Sequence, residues 1–170
     1  MASIIKVDTI QTAAGGTPTA ADLGLNTTGS VLQVVQGEHS SEQDTTSTSF
    51  VSTGLTATIT PSSTSSKILI VVSLAASGAY AVGTSDATAI YSIYDGSSHI
   101  TNVAHRVNDY GNSGVFSFSN HAINYLHSPA TTSAKTYTVY HKLSGGDASR
   151  VFNDSGGGSK GTITLMEIAG

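Results

Sequence analysis

Turn-forming residues interrupt the apolar runs of this chain every ~8–14 positions, and that spacing constrains the fold more than any other feature. Between the turns the apolar residues alternate. Leu55, Ala57 and Ile59 alternate with Thr56, Thr58 and Thr60, and Tyr137, Val139 and His141 with Thr136, Thr138 and Tyr140. A side-chain period of two is what a strand needs when one face lies on a core and the other on water. Helices are disfavoured by the same residues: the chain holds 26 Ser, 23 Thr and 18 Gly. Ser and Thr compete for backbone hydrogen bonds, and Gly weakens a helix interior.

About ten strands are expected, over residues 31–36, 50–52, 55–60, 67–76, 89–94, 99–107, 115–119, 122–127, 135–143, 149–153 and 162–168. The 67–76 run, KILIVVSLAA, is nearly continuously apolar and β-branched, so it is expected to be covered on both faces. Asp95-Gly96-Ser97-Ser98 reads as a hairpin turn. Residues 1–30 lack this rhythm. Gly15-Gly16-Thr17-Pro18 breaks any regular element there, and Asp22-Leu23-Gly24 allows a single turn at most. The chain is therefore expected to be all-β, an antiparallel β-sandwich of jelly-roll-like type over 31–170, preceded by an extended N-terminal arm over 1–30.

Several function classes are disfavoured. Lys and Arg total 7 against 11 Asp and Glu, a net charge of -4, and no basic cluster offers a grip on a nucleic-acid backbone. Without Cys there are no disulfides and no thiolate zinc sites. The longest apolar run, 68–76, is broken by Ser73 and falls far short of the ~20 residues of a membrane helix. The start carries Lys6 and Asp8 inside its only apolar stretch, unlike a signal peptide. A soluble protein is expected, one that would leave its cell by lysis, with no membrane insertion, no nucleic-acid partner and no cofactor.

The six histidines invite a metal or catalytic role. His99 and His105 are six apart, as are His121 and His127, which places each pair on one strand face if the strands are regular. Members of a pair would then stand ~20 Å apart, too far to share an ion within a chain. A threefold axis could gather three copies of one histidine, but surface or interface roles are expected and no metal site is assigned. No GxSxG elbow accompanies the many serines, and no repeated β-helix carries a carboxylate pair, so no catalytic residue is assigned and an enzyme is not expected. The GGGSKG run at 156–161 lacks the spacing of a phosphate-binding loop.

The aromatic residues are the best binding candidates: Tyr80, Tyr91, Tyr94, Tyr110, Phe116, Phe118 and Tyr125. Aromatic rings stack on sugar rings while polar neighbours bond the hydroxyls. Tyr110 with Asn108, Asp109 and Asn112, at an expected loop tip, has that chemistry and is assigned as receptor contact. Core or subunit-interface packing is the competing role for most of these rings.

The N-terminal segment resembles the attachment segment of tail-fibre and fibre-like structural proteins of marine and cyanobacterial phages. The matching residues are Ser3, Ile5, Lys6, Val7, Asp8, Ile10 and Gln11, then Gly16, Thr17 and Pro18, then Gly29, Ser30, Val31, Gln33 and Val34. The stretch 47–70 is similar to the first half of a β-domain common in such proteins, and 163–168 to its last strand. The resemblance implies a homotrimeric virion protein, assembled in the host cytoplasm, whose arm docks on tail, neck or capsid proteins. Its β-domain would face solvent and contact a host-surface glycan. Ile4, Ile5, Val7 and Ile10 are then the virion-anchoring residues. A capsid decoration or cement protein, or a head or neck fibre, is the alternative within this class, and a glycan-binding lectin module the alternative outside it.

Overall fold

A computed structural model describes residues 9–19, 22–24, 27–82, 86–108, 115–152 and 158–170. These residues form ten strands and no helix: β1 (Val31–His39), β2 (Gln43–Thr45), β3 (Val51–Ile59), β4 (Lys67–Ala81), β5 (Asp86–Asp95), β6 (Ser98–Asn108), β7 (Val115–His127), β8 (Lys135–Gly145), β9 (Ala148–Val151) and β10 (Gly161–Ile168). All the pairings are antiparallel. Alternation decides which side of each strand is buried. Leu55, Ala57 and Ile59 of β3 point inward with Tyr137 and Val139 of β8. They meet Ile68, Ile70, Val72 and Leu74 of β4 and Ile163 and Leu165 of β10, which form the other half of the core.

One sheet has the order β3-β8-β5-β6; in the other, β1-β10-β4-β9-β2, strand β7 pairs with β4. Strands β9 and β10 run in the same direction along one side of β4, at Tyr80–Gly78 and Ser73–Lys67, and act as one interrupted strand. On their far side β1 pairs with β10 and β2 with β9, so β1 and β2 make a second interrupted strand. Merged in this way, the second sheet reads first, last, third and sixth strand, and the first sheet reads second, seventh, fourth and fifth. This is the two-Greek-key connectivity of a jelly roll.

The expected strands at 50–52 and 55–60 are one strand. Gly54 (φ +79) lets β3 bulge between Ser52 and Thr56 without losing its pairing to β8. Likewise 115–119 and 122–127 are one strand, β7. Strand β4 runs past the expected end at Ala76 to Ala81, crossing a bulge between Leu74 and Ser77, where Ala76 has φ 44. The expectation that β4 is covered on both faces does not hold. Leu69 and Val71 are half-buried and Ser73 is exposed, because no layer among the described residues lies on the outer side of this sheet. The 95–98 turn forms as expected, with Gly96 (φ 59) leading a two-residue loop.

Two seams close the sandwich, and they differ. At one, β1 meets β3 so closely that a methyl group on Gly37 would collide with the Thr56 carbonyl. Gln33 Nε2 also donates across it to the Thr60 carbonyl at 2.7 Å. At the other, the edge strands β6 and β7 face each other through side chains. The arm enters beside the end of β10: Gly29 N–H donates to Ala169 O (2.7 Å) and Ala169 N–H to Ser30 O (2.8 Å). Among the described residues of 9–30 there is no strand or helix.

Candidate functional site

The outer face of the β3-β8-β5-β6 sheet carries a ladder of hydroxyls. Thr56 and Thr138 bond at 3.1 Å and Thr58 and Thr136 at 2.8 Å across β3 and β8. Beside the ladder the same face gathers rings from three parts of the chain. Tyr94 on β5 lies 4.5 Å from Tyr140 on β8 and 5.6 Å from Phe50, which precedes β3, by ring centroids. His99, next to the hairpin turn, meets Tyr94 edge-on at 5.5 Å. Lys142 Nζ stands 4.8 Å over the Phe50 ring. Phe50, Tyr94 and Tyr140 are half-buried and His99 is exposed, so the rings are braced by one another while part of their surface stays wet. A braced aromatic surface bordered by hydroxyls and one ammonium has the chemistry to stack on a sugar ring and bond its substituents.

The outer face of the other sheet differs. Val34 on β1, Met166 on β10, Leu69 on β4 and Leu126 on β7 are directly cross-strand neighbours and form an apolar row over four strands. Val34 is 58% exposed and Leu126 49%. The next row, Gln36, Thr164, Val71 and Asn124, is uncharged. Lys67 and Glu38 stand at the ends of these rows, and on the β2-β9 part of the same face Arg150 pairs with Asp44 at 2.6 Å and with Glu42 at 3.3 Å.

A cleft of about 270 Å3 opens where both interrupted strands break, lined by Glu38, His39, Ser40, Ser41 and Lys160. Lys160 pairs with Glu38 at 3.3 Å. The His39 ring is packed on Phe152 at 5.5 Å, and no serine hydroxyl bonds it. The constellation offers no nucleophile–base pair. Among the described residues no three of His, Asp or Glu converge as a metal cage.

The expected site residues are scattered. Asp109, Tyr110 and Asn112 lie outside the described residues, as does the side chain of Asn108, which ends β6. Ile4, Ile5 and Val7 also lie outside them; Ile10 is 55% exposed. Of the aromatic candidates, Tyr91 is core, its hydroxyl donating to the Gly78 carbonyl at 3.1 Å. Tyr80 packs under the Arg150 guanidinium at 5.6 Å, and Tyr125 sits at the β7 edge. Among the described candidates, Tyr94 alone joins the exposed cluster. Phe50, Tyr140 and Lys142 were not among the candidates, and His99 was weighed only for a metal or catalytic role, although the alternation in KTYTVYHKL already places Tyr140 on the threonine face. The expected sharing of a face by His99 and His105 also fails: a register shift at Ile93/Tyr94 turns His99 outward, while His105 opposite Ala89 points inward. No family model and no curated protein matches this chain.

Proposed function

We propose that this chain is a virion structural protein of the phage-fibre kind, a short trimeric fibre held on the particle by residues 1–30 and exposing its sandwich to the host surface. The contrast between the two solvent faces carries this reading. One face has an apolar row at its centre, with its charges lying toward the margins and Arg150 held in ion pairs, and is suited to packing against further copies of itself. The other is a hydroxyl-and-aromatic surface suited to a glycan. A chain with one face to assemble and another to touch is what a multivalent attachment module requires, since several weak contacts held together gain avidity. The likeness of 3–11 and 47–70 to phage-fibre segments points the same way.

A capsid decoration or cement protein is the second reading, favoured by the same apolar row, which would pack on a capsid subunit as readily as on another copy. Cryo-EM of intact virions separates the two. Density on the tail or baseplate is expected. Density spread over the head would replace the fibre with decoration, and absence from purified particles would end both. Glycan-array binding by the full chain, lost on Tyr94→Ala, is the expected result for the aromatic face. Binding that survives Tyr94→Ala and Tyr140→Ala would move the contact elsewhere.

A further inference from the structure

We propose that His105 and His121 form a two-histidine site for a borderline transition-metal cation of the Zn2+ or Cu2+ class, clipping the free edge of one sheet to the free edge of the other. The topology brings these residues together. Strand β6 is the outer strand of its sheet and β7 the outer strand of the other, and both histidines point into the seam between them. Their ring centroids are 4.6 Å apart, the planes inclined at 59°. The same-strand pairs, His99 with His105 and His121 with His127, cannot share an ion; the cross-strand pair can.

Hydrogen bonding fixes what each ring presents. His121 Nε2 lies 3.0 Å from the Ser77 carbonyl, which can only accept, so Nε2 carries the proton and Nδ1 keeps a lone pair. His105 bonds the backbone of Ser117, while its Nε2 is buried with no partner at all. Each imidazole thus has one nitrogen tied to the main chain and the other free, the outer-sphere arrangement that orients metal-bound histidines. A buried nitrogen with no partner is costly unless something fills its lone pair. Burial lowers the pKa of both rings, and proximity to His121 lowers that of His105 further. The neutral imidazole is the form that coordinates.

The donor set names the class of ion. Two imidazoles with no third His, Asp or Glu converging on them among the described residues do not suit Ca2+ or Mg2+, which take oxygen ligands, and do suit Zn2+ or Cu2+. The Ser119 hydroxyl lies 3.2 Å from His121 Nε2, the nitrogen turned away from the ion, so water is what completes the sphere. A cation bound here would hold β6 to β7 only in the folded chain, so binding must stabilise the fold.

The test uses the full chain, stripped with a chelator and titrated with Zn2+ and separately with Cu2+ by calorimetry and thermal melting. One equivalent per chain is expected, with a melting temperature that climbs as the logarithm of free metal. Affinity should fall at least tenfold in His105→Gln and in His121→Gln and be unchanged in His99→Gln. Should the two seam variants fail to fold, histidine 15N spectra of the unaltered chain decide. Metal must shift the ring nitrogens of His105 and His121 before those of any other histidine. No binding at millimolar metal, binding weakened by His99→Gln as much as by the seam variants, or first shifts at other histidines would overturn the site.

Discussion

Two buried titratable side chains contribute strongly to how this fold meets acid. His141 is 1% exposed, bonded through Nδ1 to Ser149 Oγ at 3.1 Å, and burial pushes its pKa down to about 4. The unfolded chain takes up this proton near pH 6.5 and the folded chain does not. Stability is therefore complete above 6.5 and falls as the pH drops to about 4, by an amount on the order of 3 kcal/mol. Urea midpoints across that window should fall, and His141→Gln should flatten the slope if the variant folds. Glu167 works at lower pH. Its carboxylate is buried in the core face of β10, and burial alone would raise its pKa. Hydrogen bonds from Gln33 (2.6 Å) and from the hydroxyl and backbone N–H of Ser62 (both 2.7 Å) outweigh that and hold it at about 2. Its contribution is present above about 4.5 and lost as the pH falls toward 2. An amide in its place offers one acceptor for three donors, so Glu167→Gln should cost roughly 2–3 kcal/mol at neutral pH, read from denaturant unfolding.

Among the elements, β3 depends on one backbone angle. Gly54 sits at φ +79, and a Cβ there would lie 2.7 Å from His39 Cε1. Gly54→Ala should cost roughly 1–3 kcal/mol and show in the melting temperature, whereas Gly96→Ala, at an open turn, should cost less. This bulge also marks where sequence reading stopped. Strand faces were legible: Leu55, Ala57 and Ile59, and Ile163, Leu165 and Glu167, point inward as their alternation requires. Strand continuity was not. A glycine in an alternating run marks a turn or a bulge alike, and only the partner strand, here β8, decides between them. The aromatic cluster was hidden for a related reason. Period two gives the face of Tyr94 and of Tyr140, but the jelly-roll order that makes β5 and β8 neighbours, and carries Phe50 to them, is written in long-range pairing. The joining of His105 and His121 across the seam depends on that order as well.

On the scale of the whole molecule, the two solvent faces should be separable by mutation. Leu126→Glu and Leu69→Lys alter the apolar row without touching the core, so they should abolish self-association in sedimentation while leaving the melting curve of the monomer close to that of the parent. A parent chain that sediments as a monomer at micromolar concentration would remove the assembly role of this face. The meeting of the arm with the end of β10 has a mechanical consequence. A load drawn between the arm and the opposite end of the sandwich runs along β1, at right angles to its hydrogen bonds with β10, so those bonds share the force and yield together. A load applied between the arm and Gly170 acts at one end of the same ladder and opens it bond by bond. Optical tweezers with the two attachment geometries should therefore record a several-fold higher rupture force in the first, the direction in which the proposed anchoring through the arm would load the sandwich.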